Sequence, residues 1–325
     1  MSAASRETAF SPAGGVGTEP HGIELHREYA VMQRLYEQIA EWTGLTVGQI
    51  LEEDLPEAQE ERQSVGSIRE TALALAVHDI LAEQGVHPSA LGGLSLGAMT
   101  SSCLAGALTR QELFGLLRST RLCPDPDPSD PAHALAIAAV PAGQSVETFV
   151  GGFEGVYVAG DMGDTADGAL RIHMLGGLHE PMAALAGSLP EGLVTLMPGR
   201  GIAQHTPLRA PYQTFIEPHI DAIGFGTPKL PVLSCLDRRQ LASGEDVRDL
   251  FKRNPTTPIS LPYVYEGMHE LDVQLGVVVG PAIPAGLLRI PFPVVHVEQP
   301  EHIEKVVSSV FELGIEYPET GLAPC

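Results

Sequence analysis

The sequence predicts an α/β protein in which a large domain with a mainly parallel sheet is interrupted by a small inserted domain. Three observations predict it. Short apolar runs alternate with helical patterns on both sides of the middle third of the chain. The middle segment carries its own complete set of short elements. A stretch that no helix can traverse, Pro124-Asp125-Pro126-Asp127-Pro128-Ser129-Asp130-Pro131, separates that segment from what precedes it. The 325 residues suit one large domain or two of ordinary size, and a hydrophobic content of 44% is enough for a packed core.

In chain order, residues 24–42 read as a long amphipathic helix, with Leu25, Tyr29, Met32, Leu35, Tyr36 and Ile39 at helical spacing. Residues 68–84 form a second helix, closed by Gly85 at the C′ position. Residues 89–94 are a short buried strand, followed by a helix of small residues over 96–108. Beyond the proline-rich break come a strand at 135–140, a helix at 145–153 with Ser145 as N-cap, strands at 156–159 and 170–175, an Ala-rich helix at 179–189 and a strand at 194–197. The order β-α-β-β-α-β is a ferredoxin-like signature, assigned to residues 130–200. Strands at 231–235, 273–279 and 294–297 then alternate with helices near 245–253 and 301–313, so 1–129 and 201–325 read as one domain in two pieces.

Charge and cysteine usage exclude several function classes. Acidic residues outnumber basic ones 41 to 19, for a net charge of −22, which argues against nucleic acid as a main partner. Only Lys229, Lys252 and Lys305 are lysines, so the positive charge is nearly all arginine, suited to fixed contacts with phosphate or carboxylate. Cys103, Cys123, Cys235 and Cys325 lie far apart with no metal-binding spacing, which predicts neither a disulfide scaffold nor a structural metal. Residues 1–10 carry no apolar leader pattern, and the most apolar stretch, 276–288, is short and contains Pro281 and Pro284. The expectation is a reduced, cytoplasmic protein that does not enter a membrane.

Gly93-Leu94-Ser95-Leu96-Gly97 matches G-x-S-x-G. The pattern has a mechanical reason: a strand must turn abruptly into a helix, and small residues on either side of the serine leave room for the strained turn. The serine oxygen is then presented at the helix N-terminus, and the next backbone N–H, that of Leu96, points toward an oxyanion. This elbow makes the large domain α/β-hydrolase-like. By itself the motif also fits a tight glycine-rich turn with an idle serine. A nucleophilic serine needs a base, and among 12 histidines His205 has context, because it lies in Gln204-His205-Thr206-Pro207-Leu208 where the inserted domain should rejoin the large one.

Together these segments resemble the acyltransferase family of malonyl-CoA:acyl-carrier-protein transacylases and polyketide synthase acyltransferase domains. The elbow followed by Leu104-Ala105-Gly106-Ala107-Leu108 is similar to that family's G-H-S-L-G…A-G-A-L, and His205-Thr206-Pro207-Leu208 to its H-S-P-L. Pro231-Val232-Leu233-Ser234, Thr257-Pro258-Ile259 and Val279-Gly280-Pro281 resemble three later segments, in the right order, so the resemblance spans nearly the whole chain. It implies a Ser95 nucleophile, a His205 base, no cofactor and no metal, a ping-pong route through a seryl-acyl intermediate, and an acyl carrier protein with its phosphopantetheine arm as partner. It also implies that the backbone carbonyl of Asn254 orients His205, and that the oxyanion hole combines Leu96 with a loop N–H that maps to Gly14.

The departures bear on the substrate. The arginine that malonyl-type members use for the substrate carboxylate maps to Thr120, with Arg118 and Arg121 nearby. One residue of helix turns a side chain by about 100°, so neither neighbour is a simple replacement. Gln204 replaces the usual residue before the histidine, and Asp161 and Asp164 bring acids toward the pocket. These differences imply an acyl group without a free carboxylate; one that carries an amine facing Asp161 or Asp164 fits them. The discrete aminoacyl or dipeptidyl acyltransferases of macrolactam (vicenistatin-like) antibiotic pathways are of this type. An ordinary malonyl transacylase, a carrier-thioester hydrolase of the same fold and a non-catalytic carrier-binding scaffold remain alternatives. Because carrier proteins are acidic, a local basic patch is expected, with Arg209, Arg238, Arg239 and Arg253 as leading residues beside Arg200, Lys252 and Arg289.

Overall fold

The computed structural model describes residues 7–12, 21–127, 129–199, 201–280 and 284–315. The first part of the chain forms β1 (Glu7–Pro12), α1 (Ile23–Glu28), α2 (Ala30–Thr43), α3 (Val47–Leu51), α4 (Gln59–Glu83), β2 (Ala90–Gly92), α5 (Leu96–Leu104) and α6 (Arg110–Ser119). The middle supplies β3 (His133–Pro141), α7 (Glu147–Val150), β4 (Val156–Asp164), β5 (Leu170–Leu178), α8 (His179–Ser188) and β6 (Val194–Leu196). The last part adds α9 (Ala210–Asp221), β7 (Val232–Leu233), α10 (Gly244–Arg253), β8 (Ile259–Ser260), α11 (Leu261–Glu270), β9 (Val273–Val279), β10 (Val294–Val297) and α12 (Pro300–Glu312).

Two five-stranded sheets organise these elements. The large sheet runs β10-β9-β1-β2-β7, and all of its pairings are parallel. Its strands are short and apolar because helices cover both faces. Packing is close at Gly92, where an added Cβ would stand 2.7 Å from the Val264 side chain of α11. The main core gathers here, around Leu91, Leu113, Phe114, Phe251, Val264 and Val277. The small sheet runs β6-β3-β5-β4-β8. Its first four strands pair antiparallel in the ferredoxin-like order, over a second core of Ala136, Val140, Leu175, Met182 and Leu185. The fifth strand, β8, is lent by the last part of the chain and pairs parallel with β4 through Gly160↔Ile259 and Asp161↔Ser260.

The expected α/β architecture is present, and several boundaries differ for local reasons. The helix expected over 24–42 is broken at Tyr29, which takes extended backbone angles (φ −108°, ψ 113°). The second helix starts earlier, at Gln59, and ends as expected before Gly85, whose φ of 76° suits glycine. Ser145 does not cap a helix over 145–153; its hydroxyl bonds the Glu147 carboxylate, and only Glu147–Val150 is helical. The helix after the elbow stops at Leu104, with Gly106 in the left-handed region (φ 76°). Among the described residues no helix is long and apolar enough to cross a membrane.

Candidate active site

β2 ends at Gly92, three residues intervene, and α5 begins at Leu96, with Ser95 at the turn. Ser95 has φ 53° and ψ −112°, a conformation that costs an L-residue on the order of 1–3 kcal/mol. The strain presents the serine at the start of the helix, and its hydroxyl makes no cap hydrogen bond to α5. The side chain is half-buried. Behind the turn lies the buried Cys235, just past β7. Burial pushes its thiol up to about 11, with the Ser95 backbone N–H acting the other way. The Ser95 N–H thus faces the cysteine sulfur, whereas the Leu96 N–H, at the first helical position, has no intrahelical acceptor.

His205 is 4% exposed and also sits at positive φ (61°). Its backbone N–H donates to the Pro255 carbonyl at 2.9 Å. Its ring Nδ1 lies 2.7 Å from the Asn254 carbonyl oxygen. A carbonyl can only accept, so the neutral ring carries its proton on Nδ1 and leaves the Nε2 lone pair free. Asn254 is the C-cap of α10, whose last carbonyls have no intrahelical donor. The helix end therefore holds the histidine with a main-chain group and adds the negative end of its dipole. Burial lowers the His205 pKa to about 4, while the Asn254 and Thr257 carbonyls oppose the shift and the Arg209 charge adds to it. His205 is neutral at neutral pH.

The segment from Asn254 to Ser260 ties the two groups together. It holds His205 at one end, and at the other the Ser260 N–H donates to the Cys235 carbonyl at 2.7 Å. Met99, one turn beyond Ser95, has its sulfur 4.0 Å from the Asn254 side-chain nitrogen. Ser95 and His205 flank this segment, and among the described residues no hydrogen bond joins them directly. β5 closes the site from the small sheet: a Cβ at Gly176 would meet the Thr206 methyl at 2.8 Å.

Other expected residues fare differently. Gly14 and its loop lie outside the described residues. Thr120 is buried in a 3-10 turn (Thr120–Leu122) at the end of α6, its hydroxyl donating to the Leu117 carbonyl at 2.8 Å. Arg121 is exposed, and Arg118 points to the Thr43 carbonyl and Glu61. Gln204 is half-buried beside His205.

Asp161 and Asp164 already have a counter-charge within the protein. Arg171 on β5 grips both oxygens of Asp161 (3.1 and 2.5 Å) and reaches Asp164 at 3.3 Å, because the β4–β5 pairing sets their side chains together. The basic patch also needs revision. Arg209 is buried in an ion pair with Glu60 and cannot meet a partner protein. Arg238 is held by Glu266 and Glu270, while Arg239 and Arg253 share Asp237 and Asp249, and Arg239 also pairs with Asp246. A carboxylate-rich surface leaves these arginines neutralised by their neighbours. Sequence reasoning missed Glu60 and Cys235, neither of which stands in a pattern that marks it.

No protein-family profile matches the sequence, and no curated protein matches it. Solved structures do. A malonyl-transacylase in complex with its type II polyketide synthase acyl carrier protein superposes with a TM-score of 0.80 at 18% identity, over 93% of this chain and 99% of that one. An acyl carrier protein S-malonyltransferase from Vibrio cholerae gives 0.79 at 16%, over 92% and 99%. The acyltransferase domain from the second module of the salinomycin polyketide synthase gives 0.77 at 17%, over 96% of this chain and 74% of that one. At these identities the likeness shows the fold.

Proposed function

We propose that this protein is an acyltransferase that moves an acyl group between thioesters of carrier proteins, or of coenzyme A, through an ester on Ser95. The observation that carries the reading is the buried, neutral His205, whose Nδ1 is fixed 2.7 Å from the Asn254 carbonyl so that Nε2 is the unprotonated nitrogen, on the same segment that backs the strained Ser95 turn. The neighbours named as transacylases and a polyketide synthase acyltransferase support it through the shared fold.

In this reading the Ser95 hydroxyl attacks the thioester carbonyl while His205 Nε2 takes its proton. The oxygen that gains charge is met by the Leu96 N–H and the N-terminus of α5. Collapse breaks the carbon–sulfur bond, and the proton on His205 passes to the leaving thiolate. A second thiol, deprotonated by the same histidine, then attacks the ester carbonyl; the bond to the Ser95 oxygen breaks, and the histidine returns the proton to that oxygen. In this reading the serine and histidine come within hydrogen-bond reach when substrate is bound, as catalytic groups of ligand-free enzymes commonly do. Docking by an acidic carrier protein belongs to this proposal; of the arginines expected to serve it, Arg209 is buried, while Arg238, Arg239 and Arg253 stay partly exposed within ion pairs.

The acyl group is proposed to be other than malonyl. Thr120 offers no positive charge, and a free carboxylate needs one when buried. An aminoacyl or dipeptidyl group fits the missing clamp, and its amine would have to share Asp161 and Asp164 with Arg171. The test mixes the protein with a carrier bearing malonyl, acetyl, β-aminoacyl or dipeptidyl groups and a second, unloaded carrier. Transfer that disappears in Ser95→Ala supports the reading, and the best donor names the substrate class. Release of free acid without transfer makes the protein a hydrolase, and no turnover with any donor sinks both.

A further inference from the structure

Although Thr120 replaces the expected clamp, an arginine is present nearby, reached from another part of the chain. The 3-10 turn Pro207–Arg209 begins two residues after His205 and places Arg209 in the interior, 8% exposed. Its partner Glu60, in the first turn of α4, is 2% exposed. The two meet side by side, with Nη1 at 2.9 Å from Oε1 and Nη2 at 3.4 Å from Oε2. The guanidinium also lies 4.0 Å over the ring of Tyr212, and its Nε has no acceptor among the described residues.

The pair is located from both sides. On one side is His205, four residues back in the chain and close enough to feel the Arg209 charge. On the other is the exit of α6. The Glu60 backbone N–H donates to Asp125 at 3.1 Å, the Ser64 hydroxyl one turn on donates to the Leu117 carbonyl, and Cys123 feels both charges. Glu60 and Arg209 therefore lie between the candidate base and the turn that carries Thr120.

We infer that Glu60 sets the acyl specificity of this site: by holding Arg209 it denies a cation to any acyl group that carries a free carboxylate. The inference rests on the acyl-transfer reading. A malonyl carboxylate reaching Arg209 would have to displace Glu60, leaving a buried carboxylate without a counter-charge, or share one guanidinium with it, bringing like charges together. Neutral acyl groups face neither penalty. Glu60 acts here through Arg209 and is a positioning residue.

The test is a competition. Equal amounts of malonyl- and acetyl-coenzyme A are offered to the protein, and the two Ser95 adducts are compared by intact mass within one turnover. Wild type is expected to favour acetyl by at least about tenfold. Glu60→Gln, which keeps the shape and releases the guanidinium, is expected to raise the malonyl share at least about tenfold through a lower KM for the malonyl donor. Adding Arg209→Met to that variant should erase the gain. Equal loading in the wild type, an unchanged ratio in folded Glu60→Gln, or a gain that survives Arg209→Met overturns the inference. If Glu60→Gln does not fold, Glu60→Ser takes its place in the same competition, because the wild-type preference alone also follows from Thr120. Absence of any adduct removes the acyl-transfer reading and this inference with it, whereas equal acetyl and malonyl loading removes only the inference.

Discussion

Two neighbouring regions of the molecule carry groups with catalytic potential, and they are built by different means. Ser95 and His205 are placed by backbone. One occupies a strained strand-to-helix turn, and the other is held by the carbonyl at the end of α10. Asp161, Asp164 and Arg171, on β4 and β5 of the small sheet, are placed by one another, with side chains 26%, 47% and 40% exposed. Charged side chains near the surface find counter-charges among their neighbours and lose their availability to a ligand. Main-chain groups at a helix end cannot do that, because their partners inside the helix have run out.

The comparison can be broken most severely at the base. Replacing His205 with Gln should slow Ser95 acylation by about 100- to 10,000-fold with little change in KM, measured in single-turnover assays. A loss below about tenfold would transfer the base role elsewhere.

Next in size is a stability effect. His205 has a folded pKa near 4 against 6.5 for the free side chain. Between these values the unfolded chain binds a proton that the folded protein refuses, so stability falls as pH drops from about 6.5 toward 4. The contribution of this group is up to about 3 kcal/mol, read as the difference in denaturant midpoint between wild type and His205→Gln across that window.

The small-sheet cluster should respond weakly. Arg171→Met is expected to cost no more than about 1 kcal/mol in thermal or denaturant unfolding, because the cluster is partly exposed and screened by solvent. A larger loss would mean that these charges hold the small sheet together. The smallest effect is the sharpest contrast. Asn254→Ala keeps the carbonyl that orients His205, so acylation should stay within about threefold of wild type. Loss of the side-chain acid in a serine–histidine–aspartate triad, by comparison, costs about 10,000-fold.

What the sequence discloses follows the same division. The elbow is legible because Gly93, Ser95 and Gly97 report a local backbone demand. β9 and β10 are legible as continuous apolar runs between turn residues. Even the Asn254 carbonyl follows once the resemblance aligns the segment after α10. Glu60 and Arg209 are hidden because they stand 149 residues apart and neither belongs to a periodic pattern. The pairings of Arg171, Arg239 and Arg253 depend on which strands and helices lie side by side. β8 escaped notice because two residues of strand leave no alternation to read.

The central claim is that His205 works as a buried base, neutral and held by a helix end. The measurement that tests it most directly is the single-turnover rate of Ser95 acylation by a thioester donor as a function of pH, read by intact mass. The rate should stay level from about pH 8 to about pH 5 and fall with a midpoint near 4. A midpoint near 6.5 would describe an ordinary solvated histidine, and a rate that leaves Ser95 unmodified at every pH would remove the nucleophile itself.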